Sequence, residues 1–236
     1  MLSNSARLDR FLSVRLGIKR GDVRLLLAQK RIEVDGVFAT DISQLVGKFS
    51  RICLDGEVLT SRQARYLMMN KPAGVVSATK DDKHKTVVDL LSSGEGAGLH
   101  IPGRLDFNTT GLLLLTDDGR WSRQLSLPER NIAKVYTALL AQPLDDSYIA
   151  AFAAGMYFSY EDVTTRPVIL EIISDYVARL RLVEGRYHQI KPMFGRFQNE
   201  VLALHRDAIG SVVLDPGLAP GQYRNLTQDE ILALAC

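Results

Sequence analysis

Residues 103–113 form the segment of the sequence that is best suited to chemistry. The run Gly-Arg-Leu-Asp-Phe-Asn-Thr-Thr-Gly-Leu-Leu places one carboxylate, Asp106, two residues after a basic side chain, Arg104. A loop rich in Gly, Asp, Asn and Thr leads directly into an apolar strand, which can hold the carboxylate of Asp106 at the rim of a rigid sheet. The alternative is an ordinary turn in which Asp106 bonds to nearby backbone groups, and composition alone favours this turn.

Three other short segments contain side chains of chemical interest. Tyr136 lies in Lys-Val-Tyr, residues 134–136, within a predicted strand, where a tyrosine usually belongs to a core or an interface. Residues 184–191, Glu-Gly-Arg-Tyr-His-Gln-Ile-Lys, combine cations, aromatic rings and an amide, and they equally suit a solvated hairpin tip. Residues 70–74, Asn-Lys-Pro-Ala-Gly, indicate a tight turn. Taken singly, none of these segments identifies a reaction.

These segments lie in a part of the chain that alternates strands with helices. The apolar and alternating patterns predict strands over residues 66–70, 111–116, 134–140, 167–173, 178–183 and 201–204. Helices are predicted over residues 86–91, 121–127, 145–156 and 228–236, the last opened by a capping box between Thr227 and Glu230. We therefore expect an α+β domain with a largely antiparallel mixed sheet flanked by helices.

The first 60 residues differ in charge from the rest of the chain. Residues 7–31 contain eight basic and two acidic residues, a net charge of +6, whereas the whole chain carries +2. Cations concentrated on one element favour a polyanion as partner, because each neutralised phosphate releases a counterion. A solvated helix face is the alternative that explains most charge runs, and charge alone does not decide between the two.

Residues 1–60 are predicted to form a small α/β domain. Apolar residues at helical spacing from Leu8 to Leu16 predict a first helix that ends at Gly17, and Asp22 can cap a second helix. Residues 31–36, Arg-Ile-Glu-Val-Asp-Gly, alternate and end in a hairpin turn, after which a mostly β stretch follows. The polar residues 61–65 predict a linker, and residues 66–236 the second domain.

Composition excludes several classes of protein. The chain has 236 residues, of which 46% are hydrophobic and 24% charged, as in globular proteins. It has no apolar run long enough to span a membrane and no signal-peptide core at its start. Two cysteines and four scattered histidines provide neither a disulfide framework nor metal-ligand spacing. We expect a cytoplasmic protein with no metal site and no membrane partner.

The N-terminal segment resembles the S4 RNA-binding domain. The resemblance rests on residues 7–12, Arg-Leu-Asp-Arg-Phe-Leu, on the Leu-Gly pair at 16–17, and on residues 31–36. That domain packs two helices against a small sheet and presents a basic helix to structured RNA. It often has Ser-Arg where this chain has Lys19-Arg20. The resemblance implies RNA binding and no chemistry of its own.

The remaining motifs resemble, in their order and spacing, the pseudouridine synthases of the RsuA type, which act on small-subunit rRNA. Leu-His at 99–100 leads into Gly-Arg-Leu-Asp at 103–106 and Thr-Thr-Gly-Leu at 109–112, as in the family's catalytic motif, which residues 116–119 continue. Residues 134–136 match the motif that bears the active-site tyrosine. Residues 184–191 match the motif that bears the basic partner, and residues 70–74 match the opening of the catalytic domain.

This resemblance implies a reaction and three catalytic residues. Uracil leaves its ribose at N1 and rejoins it through C5, and no cofactor is needed because the product is an isomer. Asp106 is the implied essential carboxylate, acting either on C1′ of the sugar or on the 2′ proton. Tyr136 is implied to lie against a target base that has left the RNA helix, and Lys191 to be the basic partner of Asp106.

Further RNA contacts are also implied. Arg104 either fills the space of the everted nucleotide or clamps a phosphate, and both roles stay open. The other residues expected to contact RNA are Arg186, His188 and Gln189 of the basic motif and Arg7, Arg10, Lys19, Arg20, Arg24, Lys30 and Arg31 of the S4-like domain. The expected partner is 16S rRNA or the assembling small ribosomal subunit, and we expect a monomer.

Pro192 departs from the family pattern. The family usually has Lys-Arg-Met-Phe where this chain has Lys-Pro-Met-Phe at 191–194. Proline removes a cation and a backbone donor, and it favours an extended backbone at Lys191. If Lys191 directly precedes a helix, Pro192 at the first helical position is tolerated, and any other placement leaves the position of Lys191 open. We expect retained activity with weaker RNA contact here.

Three alternatives to this function make different predictions. A 23S rRNA pseudouridine synthase of the related group usually has Arg-Gln where this chain has His188-Gln189, and often a long basic tail. A non-catalytic rRNA-binding assembly factor would not depend on Asp106. A glycosidase would need a second carboxylate near Asp106, but Asp117 and Asp118 lie beyond a strand of about five residues, about 17 Å away.

Overall fold

The computed structural model of the protein describes residues 5–60, 63–158, 162–185 and 189–235. The chain divides into two compact units, Met1–Ala64 and Arg65–Cys236. Among the described residues, no helix has both the length and the apolar character needed to cross a bilayer. Each unit has its own core, and the two are therefore described separately.

The N-terminal unit packs two short helices against small sheets. Its helices are α1 (Leu8–Leu16) and α2 (Arg20–Ala28), and its strands are β1 (Ser5–Arg7), β2 (Ile32–Val34), β3 (Val37–Phe38), β4 (Leu45–Gly47), β5 (Ile52–Leu54) and β6 (Glu57–Thr60). One sheet has the order β3-β2-β5-β6, and β1 pairs with β4. Leu8, Leu12 and Val23 are fully buried in the core of this unit. The apolar residues that predicted the helices therefore form the faces that pack against the core.

Glycine and aspartate define the turns of this unit. Helix α1 ends at Gly17, which adopts φ +65° as a left-handed cap, as predicted. The predicted hairpin turn at Asp35-Gly36 has positive φ at both residues, the geometry that joins β2 to β3. The predicted capping of α2 by Asp22 is confirmed, although the helix begins at Arg20 and Asp22 acts as the third residue of a capping box. Asp22 lies inside its first turn, where its carboxylate accepts from the backbone N–H of Lys19 at 3.1 Å.

The C-terminal unit is built on an eight-stranded mixed sheet. Its strands are β7 (Tyr66–Lys71), β8 (Thr110–Thr116), β9 (Lys134–Leu140), β10 (Tyr157–Phe158), β11 (Val163–Thr164), β12 (Ile169–Ser174), β13 (Val177–Leu182), β14 (Val201–Ile209), β15 (Val212–Val213) and β16 (Tyr223–Asn225). The sheet has the order β12-β13-β9-β14-β8-β7-β16, with β15 beside β14, while β10 and β11 pair separately. The pairing of β14 with β8 is parallel and the other pairings described for this sheet are antiparallel. The predicted fold class is confirmed.

Helices cover the sheet and complete its cores. They are α3 (Gly119–Ser126), α4 (Asp146–Ala154), α5 (Ile190–Gly195) and α6 (Gln228–Ala235), with single 3₁₀ turns at Val88–Leu90 and Pro128–Arg130. Strand β8 is buried on both faces, because Leu112 and Leu114 belong to one apolar cluster and Leu113 and Leu115 to another. That double burial explains its continuous apolar run.

Two predicted elements differ from the structure. The helix predicted over residues 86–91 is a 3₁₀ turn of three residues, in which Asp89 accepts from the backbone N–H of Thr86 at 2.7 Å. The strand predicted over residues 201–204 is β14, which continues to Ile209. Its second half, His-Arg-Asp-Ala-Ile, was missed because charged residues interrupt the apolar pattern.

The register of β14 brings distant parts of the chain together. Arg206 lies opposite Tyr136 of β9 and beside Gly111 of β8. Gly111 has φ +103°, and a Cβ there would lie 2.3 Å from the backbone oxygen of Arg206. A residue with a side chain would therefore push β14 away from β8 at this point.

Candidate active site

A single cleft of the C-terminal unit, about 960 Å³ in volume, contains the three residues predicted to be catalytic. Asp106, Tyr136 and Lys191 all line it, although they come from a loop, a strand and a helix far apart in sequence. Arg104 and Gln189, predicted to contact RNA, line the same cleft. The cleft lies at the end of β8 where the loop of residues 103–109 enters the sheet.

The loop that bears Asp106 is held by its backbone. The ammonium group of Lys71, which is fully buried, donates to the carbonyl oxygens of Asp106 at 3.0 Å, Phe107 at 3.2 Å and Thr109 at 2.9 Å. It also reaches the carbonyl of Pro72 at 3.0 Å. One side chain thus fixes three carbonyl groups of the loop, at residues 106, 107 and 109.

Residues that follow Lys71 complete the support of this loop. Ser77 Oγ donates to the Leu105 carbonyl at 2.7 Å and accepts from the Leu105 N–H at 3.1 Å. The N–H of Gly74 donates to the Phe107 carbonyl at 2.9 Å. The segment predicted as a simple tight turn is therefore a clamp on the loop of Asp106.

Burial makes the charge of Lys71 unusually easy to remove. The pKa of its ammonium group is lowered to about 8, chiefly by desolvation, with the charge of Asp106 opposing the shift and the nearby Arg206 adding to it. Lys134, which also lines the cleft, has its pKa lowered first by burial and then by Arg206. Lys134 and Arg206 therefore line the cleft, and the buried Lys71 lies behind the loop of Asp106.

Tyr136 stands between two apolar clusters and contacts a buried arginine. Its ring packs against both the cluster around Phe152 and the cluster around Leu113. Its hydroxyl accepts from Arg206 Nη1 at 3.3 Å, and the guanidinium carbon lies 5.9 Å from the ring centroid. Arg206 is a residue of the cleft that the sequence analysis did not predict. The signal lay in the alternation of β14, where Leu204, Arg206 and Ala208 are buried and the residues between them are partly exposed.

Lys191 lies in the first turn of α5, exposed and facing the cleft. Lys191 does not directly precede the helix, because α5 begins at Ile190, and Pro192 is therefore its third residue and not its first. The proline is nevertheless tolerated there, since the first four N–H groups of a helix have no intrahelical acceptor and none is lost. The side chains of Ile190, Met193 and Phe194 are buried and anchor this turn in the core.

The side chain of Gln189 is held by the carboxylate of Glu184, five residues earlier in the chain. Its Nε2 donates to Glu184 Oε2 at 3.0 Å, which assigns the amide orientation because a carboxylate accepts only from the nitrogen. The amide oxygen, Oε1, is buried and has no hydrogen-bond partner among the described residues. Arg186 and His188 lie outside the described residues, so their predicted RNA contacts stay predictions.

Comparison with known proteins identifies the family. A family model described as RNA pseudouridylate synthase matches residues 65–195. Ribosomal small subunit pseudouridine synthase A of Pseudomonas aeruginosa is 49% identical over 229 residues, which cover 97% of this chain and 100% of that protein. The chain belongs to the RNA pseudouridylate synthase family. The protein of the same name from Salmonella typhimurium is 40% identical over 97% of this chain and 99% of that protein.

A solved structure of a pseudouridylate synthase supports the same assignment. It matches with a TM-score of 0.71 and 39% identity, and the match covers 97% of this chain and 99% of that one. The expected class, a pseudouridine synthase of the RsuA type, is thereby confirmed. Among the residues that the structure describes, this pseudouridine synthase has no cluster of three or more His, Cys, Asp or Glu side chains that could hold a metal ion.

The basic residues of the N-terminal unit of this pseudouridine synthase differ in their bonding. All seven predicted RNA contacts in this unit are exposed. Two of them hold aspartates of their own unit: Arg7 donates to Asp9 at 2.8 Å, and Arg31 donates to Asp55 at 2.8 Å. Arg10, Lys19 and Arg24 are exposed on or beside helices α1 and α2, and their contact with phosphate stays a prediction.

Proposed function

We propose that this pseudouridine synthase converts a uridine of 16S rRNA to pseudouridine, with Asp106 as the essential carboxylate. The observation that carries the proposal is the meeting of Asp106, Tyr136 and Lys191 in one cleft. The choice of 16S rRNA rests on relatives that are named small-subunit enzymes over nearly their full length. The proposed substrate is free 16S rRNA or the assembling subunit, met in the cytoplasm by a monomer.

In the proposed reaction the N1–C1′ bond breaks, the uracil turns, and a C5–C1′ bond forms. The C5 proton is lost and N1 gains a proton, so atoms and charge balance without a cofactor. Asp106 either attacks C1′ or removes the 2′ proton, and both roles require the ionised carboxylate. Lys134 and Lys191 line the cleft together with Asp106, and the charge of Asp106 opposes the lowering of the pKa of the nearby Lys71.

The cleft also offers groups suited to an everted nucleotide. The ring of Tyr136 provides a face for the base, and stacking of this kind is worth about 1–3 kcal/mol per base. Gln189 lines the cleft wall as well, where its Nε2 is bonded to Glu184. Arg104 is exposed at the rim, where it either fills the vacated helix position or contacts phosphate. The N-terminal unit is proposed to bind structured RNA as an S4-like domain.

The test is to map pseudouridines in rRNA from cells that lack this protein. Carbodiimide-dependent reverse-transcription stops report each pseudouridine, and one stop should disappear from 16S rRNA. Complementation with the wild-type chain should restore the stop and Asp106→Asn should not. A stop lost from 23S rRNA, with the 16S pattern intact, overturns the substrate assignment.

A further inference from the structure

Arg206 is one of the largest fully buried side chains of the protein, with 1% of its surface exposed. Its Nε donates to the carbonyl of Leu112 at 2.8 Å and its Nη2 to the carbonyl of Gly103 at 2.7 Å. Its Nη1 donates to the hydroxyl of Tyr136 at 3.3 Å. These three acceptors belong to strand β8, to the start of the Asp106 loop, and to strand β9.

This bonding differs from that of arginines that only support the fold. Arg224 donates to the carboxylates of Asp215 and Glu230, which is the usual way in which a partly buried guanidinium is neutralised. Within the described residues, Arg206 makes no salt bridge, and its acceptors are two carbonyls and a phenol. A buried charge kept without a carboxylate carries a free-energy cost, which indicates a role beyond packing.

The donor-only chemistry of arginine determines the state of the phenol. A guanidinium has five N–H donors and no acceptor, so the oxygen of Tyr136 must accept in this bond. The hydrogen of the phenol is then left to point elsewhere, and the cleft lies in front of it. At the same time the bond to Gly103 fixes the start of the loop, as Lys71 fixes its end.

We propose that Arg206 is a positioning residue for pseudouridine formation. By bonding the carbonyl of Gly103 and the phenol of Tyr136 at once, it sets the loop of Asp106 against the ring and directs the phenol hydrogen toward the nucleotide. This inference rests on the proposed function. It gives strand β14 an indirect part in the reaction, because Arg206 acts through Tyr136 and the Asp106 loop and does not touch the reacting atoms.

A double-mutant cycle tests the proposal. The assay follows release of tritium from C5 of the uridines in a 16S rRNA transcript, with the variants Arg206→Lys, Tyr136→Phe and the two combined. Lysine keeps the charge but cannot reach three acceptors in a planar fork, so kcat should fall about 10- to 100-fold with KM changed less than about threefold. In the Tyr136→Phe background the same change should cost at least about fivefold less. Equal losses in the two backgrounds, or a loss confined to KM, overturn the proposal.

A matched arginine controls for loss of stability. Arg224→Lys also removes a guanidinium with several acceptors, but its contacts lie at the edge strand and the terminal helix. Its thermal midpoint should fall while kcat stays unchanged. If Arg224→Lys lowers kcat as much as Arg206→Lys does, the effect is one of general stability and the proposal fails.

A second measurement keeps Arg206 in place and does not depend on its variants folding. The buried Nε–H of Arg206 should give a slowly exchanging arginine signal in a ¹⁵N–¹H spectrum of the full chain. Tyr136→Phe should shift this signal, whereas Tyr157→Phe, which removes a phenol bonded to Asp162 at 3.0 Å, should not. An unmoved signal in Tyr136→Phe overturns the contact. Absence of pseudouridine formation by the wild-type chain would instead overturn the proposed function, with this spectrum unaffected.

Discussion

Strand β8 has an aspartate-bearing loop at each end, and the two loops use their carboxylates differently. At the C-terminal end of β8, the far end from the cleft, the side chain of Asp117 is fully buried. It accepts from the backbone N–H of Arg65 at 2.9 Å and from the Nε of Arg65 at 3.2 Å. Its neighbour Asp118 caps helix α3 and accepts from the hydroxyl of Tyr66 at 2.8 Å. Both carboxylates hold the fold together.

At the near end, the scaffold holds the backbone of the loop and the carboxylate lines the cleft. Lys71 and Ser77 bond the main chain around Asp106, and Arg206 bonds the main chain at Gly103. The structure therefore holds the loop after β8 through the carboxylates of Asp117 and Asp118, and it holds the loop before β8 through main-chain groups.

The sharpest test of this contrast replaces one carboxylate at a time. Asp106→Asn should reduce pseudouridine formation to below about 10⁻³ of the wild-type rate, because the proposed reaction requires the charge of this carboxylate, while RNA binding stays nearly intact. Asp117→Asn should retain its kcat at a temperature where it is folded. Single-turnover assays on the 16S transcript measure both, and an active Asp106→Asn enzyme would end the mechanistic proposal.

The same two variants should rank in the opposite order when their stability is measured. Asp117→Asn leaves the partly buried guanidinium of Arg65 without its carboxylate and should lower the free energy of unfolding by about 1–3 kcal/mol. Asp106→Asn should change it by less than about 1 kcal/mol, because its loop is anchored through the backbone. Denaturant unfolding of the two proteins decides the point. Equal destabilisation would show that both loops are structural.

Lys71 and Arg65 are the basic side chains that hold the two loops, and their contributions to the free energy of unfolding should depend differently on pH. Lys71 has its pKa lowered from 10.5 to about 8 on folding, so between these values the unfolded chain binds more protons and stability rises with pH. The difference in unfolding free energy between wild type and Lys71→Met should therefore grow by up to about 3 kcal/mol from pH 8 to pH 10.5.

The control for this pH dependence is Arg65→Met at the far end, where arginine stays charged throughout. Its difference from wild type should stay flat over the same range. If the difference in unfolding free energy between wild type and Lys71→Met does not change with pH, folding does not lower the pKa of Lys71.

The smallest expected effect extends the contrast to the N-terminal unit. Neutralising Arg10, Lys19 and Arg24 to glutamine should weaken binding of the 16S transcript and reduce the slope of log affinity against log salt by up to about 3, with kcat unchanged. Arg31→Gln, which removes a guanidinium that holds Asp55, should change the slope by less than 1. Titrations between low and moderate salt measure both. An unchanged slope in the triple variant would remove this unit from RNA binding.

Much of the fold could be predicted from local patterns. Strand β9 has the predicted bounds, and α6 opens with the predicted capping box, in which the Thr227 N–H donates to Glu230 Oε2 at 2.7 Å and the Glu230 N–H donates to Thr227 Oγ1 at 3.2 Å. These features depend on neighbouring residues, whose types and spacing are visible in the sequence.

What could not be predicted depends on contacts between distant segments. The segment of Lys71 looks like an ordinary turn, and only its contacts with residues 35 or more positions away reveal the clamp. Arg206 occupies an inward-facing position where the period-two pattern requires an apolar side chain, so the pattern predicts a strand that ends at Leu204. Both failures occurred at the site itself, where charged groups are buried against the ordinary rules of packing.

The parallel pairing of β14 with β8 also determines when catalytic competence can arise during synthesis. Leu112 and Arg206 are 94 residues apart, and Gly103 and Arg206 are 103 apart. The ribosome therefore releases the Asp106 loop long before the guanidinium that bonds to it, and the closing of so long a loop is a late event. A nascent chain that bears the whole N-terminal unit and the Asp106 loop thus still lacks the contacts of Arg206, and the cleft can be completed only once β14 has emerged.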